Sequence, residues 1–200
     1  MSDFILKHAQ AKYGNSVQRK DIFYYVYGIL HSKSYREKFE PDLKIMLPRI
    51  PLVSDYQKFW DFSKAGRNLA HLHLNYEMID PYPDVIVKGD DKNNFTVQEM
   101  KFSAKSQKDT IIYNNDISIS NIPEMAYEYV VNGKSPIEWV MERYQITNDQ
   151  KTGITNDPND WATEHNKPRY ILDLLLSVIN VSVQTVDIVN KLPEVDWDKE

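Results

Sequence analysis

Cysteine is absent from the 200 residues, which excludes disulfide frameworks, thiolate zinc sites and cysteine nucleophiles and leaves His, Asp and Glu as metal ligands. No Gly-rich loop followed by Lys-Ser/Thr occurs, so phosphate-loop nucleotide binding is excluded, and there is no Asn-Pro-Pro-Tyr type string of an amino-methyltransferase. Asn156-Asp157-Pro158 is a superficial echo of that string. No run of about 18 apolar residues exists, and Met1-Ser2-Asp3 leads to Lys7 and His8 rather than to an apolar signal core. The expectation is a cytoplasmic protein without a membrane partner.

What is present suffices for a core: 42% of the residues are apolar and 12% aromatic. The formal charge of -5 hides an asymmetry, because residues 1–75 hold 12 Lys or Arg against 7 Asp or Glu, while the remainder holds 12 against 22. An acidic mean does not exclude a nucleic-acid partner, since phosphate attraction depends on local patches and neighbouring domains.

Apolar periodicity predicts a helix over residues 21–30 with Asp21 capping its first turn, and a second helix opened by a Ser34–Glu37 capping box and kinked or split at Pro41. Leu47-Pro48-Arg49-Ile50-Pro51 reads as a stiff extended connector. A long helix follows from the Ser54–Gln57 box to Asn75, with Phe59, Phe62, Gly66, Leu69 and His73 on one side. After Pro81-Tyr82-Pro83 the pattern changes to short strands over 85–87, 95–102, 110–113 and 117–119, with a last strand over 127–131 ending at Asn132-Gly133. Ser135-Pro136 opens a short helix, residues 146–167 read as a long polar loop, Pro168 fits a helix start, and Val186 and Val189 suggest a further helix. The stretch 179–183 is ambiguous between helix and strand. The expected fold is α+β: an N-terminal helical layer over 1–80, then a mixed strand and helix subdomain over 81–200 with a small, mostly antiparallel central sheet and C-terminal helices.

Six strings, in order and spanning 21–193, resemble the C-terminal specificity domain of single-polypeptide type I restriction-modification enzymes and related helicase-annotated proteins. They are Asp21-Ile22-Phe23-Tyr24-Tyr25-Val26-Tyr27-Gly28-Ile29-Leu30-His31-Ser32, Leu47-Pro48-Arg49-Ile50-Pro51, Leu72-His73-Leu74-Asn75-Tyr76-Glu77, Ile137-Glu138-Trp139-Val140-Met141-Glu142-Arg143-Tyr144-Gln145, Asn156-Asp157-Pro158-Asn159-Asp160-Trp161 and Pro168-Arg169-Tyr170. The resemblance implies a target-recognition domain that binds double-stranded DNA and follows an adenine-N6 methyltransferase. It implies no cofactor here, and ATP, magnesium and S-adenosylmethionine in other domains of a larger polypeptide.

For DNA contact, Lys101, Ser103, Lys105, Ser106 and Lys108 lie on or after a strand and suit phosphate anchoring. Arg143, Gln145, Asn148 and Lys151 sit where the short helix enters the polar loop, and Arg, Gln and Asn are the side chains able to pair with guanine or adenine edges. Arg49, between two prolines, suits either a phosphate or a core salt bridge. The aromatic run Phe23, Tyr24, Tyr25, Tyr27 suits core packing and docking on a methyltransferase domain. Two competing readings are kept. Asp84 with Glu99 and Lys101 has the spacing of a divalent-metal nuclease, provided the two parts lie on adjacent strands; the other is a structural domain that couples motor to methyltransferase without touching DNA. His71 and His73 diverge on a helix and cannot share a metal.

Overall fold

Helix begins earlier in the chain than its apolar pattern predicts. In a computed structural model that describes residues 2–200, α1 (Asp3–Tyr13) is capped by Ser2 and buries only Ala9 and Tyr13, too narrow a stripe to announce itself. Two compact units are formed, one of Met1–Leu74 with Asp187–Glu200 and one of Asn75–Val186. The fold is α+β.

In the first unit, α2 (Arg19–His31) starts before the predicted position. Asp21 is not its cap but its third residue, and its carboxylate accepts from the Gln18 backbone N–H at 2.9 Å and from Arg67 at 2.9 Å. Pro41 splits the next helix into α3 (Lys33–Lys38) and α4 (Glu40–Leu43), and the cap is Ser32 rather than Ser34. Helix α5 (Tyr56–Leu74) is capped by Asp55, whose carboxylate accepts from Lys58 N–H at 2.9 Å. It crosses α2 at backbone contact. A Cβ on Gly28 would lie 2.3 Å from the Phe62 carbonyl oxygen, and one on Gly66 1.9 Å from that of Tyr24.

The proline connector cannot pair with itself, because its prolines lack donors and hold the chain extended. Tyrosines supply the bonds instead: the hydroxyls of Tyr35, Tyr25 and Tyr13 donate to the carbonyls of Arg49 (2.9 Å), Pro51 (2.7 Å) and Val53, alternate residues of one extended edge. Burial pushes the Tyr13 and Tyr25 phenols well above their ordinary pKa. Tyr13 stacks on Phe59 with ring centroids 4.1 Å apart. Residues 187–200 complete this unit: Trp197 packs edge-on against Tyr35 at 5.2 Å and donates to Ser34 Oγ at 3.0 Å.

The second unit holds β1 (Ile86–Lys88), β2 (Lys101–Ala104), β3 (Gln107–Ile112) and β4 (Ser118–Ser120) in one antiparallel sheet of order β1-β4-β3-β2. Ile111, Tyr113, Ile117 and Ile119 from the sheet region pack with Ile137, Ile171, Leu175 and Ile179. Then follow α6 (Pro136–Arg143), a hairpin of β5 (Thr147–Asn148) and β6 (Thr155–Asn156), α7 (Pro158–Glu164) and α8 (Tyr170–Asn190). Helix α8 is a single element that absorbs 179–183 and the expected further helix, and it starts at Tyr170 rather than Pro168. It is long and apolar, with a mean hydropathy of 1.6, and 78% of that window is buried within the fold.

Two expected strands are corrected. Of 95–102 only the end is strand, because side chains and loops satisfy the earlier backbone groups. Tyr113 Oη donates to the Phe95 carbonyl at 3.0 Å, Asn114 to those of Asn94 and Thr96 at 2.8 and 3.0 Å, and Ile146 N–H to that of Gln98 at 3.0 Å. Residues 127–131 are not strand either. A 3-10 turn, Glu124–Tyr127, precedes a tight turn in which Asn132 and Gly133 have φ of 51° and 86° and Val131 bridges Lys134.

Candidate nucleic-acid interface

Strand β2 is a sheet edge, and its hairpin with β3 exposes a basic, hydroxyl-bearing row. Lys101, Ser103, Lys105, Ser106 and Lys108 are all exposed. Lys108 is engaged, pairing with Glu138 at 2.8 Å and lying over the rings of Tyr127 and Phe102 at 5.4 and 5.7 Å. Glu138 is also the capping-box residue of α6, bonded to Ser135, and its carboxyl is held below the usual range by Lys108 and Ser135 against the opposing pull of desolvation. Lys101 stands at the opposite end of the hairpin from Lys105, on the order of 13 Å away at the rise of an extended strand.

The predicted base readers spread over three local settings. Arg143 ends α6 and lies over the Trp139 ring at 5.5 Å; Lys134 also lies over that ring, at 5.1 Å, and the indole donates to the Val131 carbonyl at 2.7 Å. Gln145 is half-buried. Asn148 is on β5, and exposed Lys151 is in the turn that joins β5 to β6. The Ile146–Gln98 bond seats this hairpin beside the stretch entering β2.

The polar loop is a built object. The string Ile-Thr-Asn-Asp occurs twice, at 146–149 and 154–157, a repeat the loop reading overlooks. The two copies pair antiparallel, Thr147 with Asn156 and Asn148 with Thr155. Asp149 closes the turn: its carboxylate accepts from the N–H groups of Lys151 at 2.8 Å and Thr152 at 3.1 Å, which holds its pKa below the ordinary range. The second copy's Asp157 caps α7, and Asn159 clamps Val97, accepting from its N–H at 2.9 Å and donating to its carbonyl at 2.8 Å.

The nuclease geometry is not assembled. Asp84 precedes β1 and Glu99 precedes β2, and these strands are the two edges of the sheet. Three inter-strand spacings separate them, on the order of 14 Å. The antiparallel order also puts their starts at opposite ends. Among the described residues no three His, Asp or Glu gather as a metal site. In the first unit, His73 bonds Tyr27 Oη at 2.7 Å with His31 at 5.5 Å ring to ring; burial lowers the pKa of both, that of His73 to about 4. Arg49 is exposed.

One unit thus consists of helices latched by tyrosines, and the other carries a small antiparallel sheet with a basic edge hairpin and a polar ribbon. The family model that matches is the Type ISP C-terminal specificity domain, over residues 1–174, and the chain belongs to that family. Among solved structures, a nuclease-deletion mutant of the Type ISP restriction-modification enzyme LlaGI, in complex with a DNA substrate mimic, is 48% identical with a TM-score of 0.81, over 89% of this chain and 16% of that one. The ATP-dependent Type ISP restriction-modification enzyme LlaBIII, bound to DNA, is 42% identical with a TM-score of 0.87, over 98% of this chain and 12% of that one. DrdV, in a DrdV–DNA complex, is 30% identical with a TM-score of 0.79, over 96% of this chain and 20% of that one. The chain thus spans a fifth or less of these relatives' length. No curated protein matches it.

Proposed function

We propose that this chain recognises a specific sequence in duplex DNA as the target-recognition part of a larger restriction-modification enzyme. It would supply recognition, with methylation, ATP-driven movement and cleavage belonging to other domains of such an enzyme. The observation that carries the reading is family membership together with the exposed basic β2–β3 hairpin and an exposed polar ribbon seated on the stretch that enters β2, features suited to phosphate anchoring and base reading. The separation of Asp84 from Glu99 favours this over the nuclease reading. A domain exchange tests it: residues 1–200 replace the corresponding segment of LlaGI, and the DNA positions methylated by the chimera are mapped. A changed target site supports recognition. An unaltered target in an active chimera overturns it and favours the structural coupling role.

A further inference from the structure

The two Thr–Asn rungs of the β5–β6 ribbon are not equivalent. Directly opposed residues of an antiparallel pair share a face, and neighbours along a strand alternate. Asn148 and Thr155 therefore lie on one face, and Thr147 with Asn156 on the other. On the first face Thr155 Oγ1 donates to Asn148 Oδ1 at 2.6 Å, so that carboxamide has its acceptor engaged. On the second, Asn156 is exposed, and among the described residues no hydrogen bond engages its side chain.

Bidentate pairing with an adenine edge needs both ends of a carboxamide at once, the oxygen for N6–H and the nitrogen for N7. Asn156 has both ends unengaged among the described residues, whereas the oxygen of Asn148 already accepts one bond from Thr155, which fixes its orientation within the ribbon. The bond from Asp149 N–H to the Ile154 carbonyl, 2.9 Å, continues the ladder, so Ile154 falls on the Asn156 face. It is 64% exposed, whereas its counterpart in the repeat, Ile146, is partly buried. An aliphatic side chain in that position matches the C5-methyl of thymine. Two residues along a strand span about 6.8 Å, close to two base-pair steps of about 3.4 Å. The major groove is wide enough to admit a two-stranded ribbon.

We infer that Asn156 and Ile154 are specificity determinants, reading an adenine and a thymine methyl about two base-pair steps apart in the major groove. This rests on the DNA-recognition reading above. The test uses the whole 200-residue chain, a pool of duplexes with a randomised central segment, and sequencing of the bound fraction at low salt. The wild type should enrich an A and a T at that separation. Asn156→Ala should flatten the preference at the adenine, a loss of roughly 5- to 100-fold in discrimination, and Ile154→Ala the preference at the thymine. Replacing that thymine by deoxyuridine should weaken the wild type about fourfold, as one methyl group allows, and leave Ile154→Ala unaffected. Lys64→Ala, exposed on α5 and outside this ribbon, should keep both preferences. Thermal unfolding of each variant at the wild-type temperature verifies that the fold is intact. Retention of the adenine preference by Asn156→Ala, or salt-dependent binding without any preference, overturns the assignment. Absence of salt-dependent binding to every duplex overturns the DNA-recognition reading itself.

Discussion

Asn159 shows how much one side chain carries where strand pairing is missing. It satisfies both backbone groups of Val97, so Asn159→Ala leaves a part-buried N–H and C=O without partners. A loss of about 1–3 kcal/mol is expected in urea unfolding. Gly66 is constrained more tightly, since a methyl there meets the Tyr24 carbonyl oxygen at 1.9 Å, backbone against backbone. Gly66→Ala should cost about 1–3 kcal/mol or more by forcing α2 and α5 apart, whereas Lys64→Ala on the exposed side of α5 should stay within about 0.5 kcal/mol. Calorimetry of the two variants separates crossing from propensity. His73 gives a pH signature. Its folded pKa of about 4 lies below the ordinary 6.5 because burial disfavours the charged ring. The unfolded chain therefore binds the proton more readily, and His73 contributes stability that is complete above about pH 6.5 and is lost as pH falls towards 4. The melting temperature should fall across that window, and His73→Gln should flatten the fall.

At the level of elements, the edge hairpin makes a prediction that discriminates among its own lysines. Lys101 and Lys105 have no ion-pair partner among the described residues, whereas Lys108 is held by Glu138. Replacing Lys101 and Lys105 by Ala should lower the slope of log affinity against log salt by about 0.9 for each phosphate left un-neutralised, uniformly across sequences. Lys108→Ala should leave the slope unchanged. The helices with broad apolar stripes, the Pro41 break, the proline connector and three of the four sheet strands could be read from spacing alone, because burial sets their periodicity directly. What escaped was decided by long-range partners. Residues 95–100 have strand composition, yet their bonds go to Tyr113, Asn114, Ile146 and Asn159, none of which a local pattern reveals. Val130 and Val131 look β-forming but are 48% and 39% exposed beside a tight turn. Most of the family-bearing strings turn out to be structural. Leu47–Pro51 is the edge the tyrosines latch, Arg169 joins Asp90 and Asp173 at 2.9 and 2.8 Å, and Asn156–Trp161 holds a cap and the clamp. The β5–β6 ribbon was legible in principle, as the doubled Ile-Thr-Asn-Asp string, a repeat too short to stand out against the polar loop.

At the scale of the whole chain, the first unit is discontinuous. Residues 187–200 return to it through Trp197, 8% exposed among Tyr35, Phe39 and Phe62, and through the Lys38–Asp198 pair and the bonds from Ser54 to Glu200. Trp197→Ala should cost about 3–5 kcal/mol, with the loss appearing in the first unit; hydrogen exchange of α2 and α5 amides is the measurement that localises it.

That return has a consequence for synthesis. A ribosome releases the α2–α5 pair long before Trp197 emerges, so the nascent first unit waits with a vacant aromatic slot while the intervening residues are made. The second unit, uninterrupted in the chain, can finish while its predecessor is still incomplete, which reverses the usual order in which the earlier-made domain matures first.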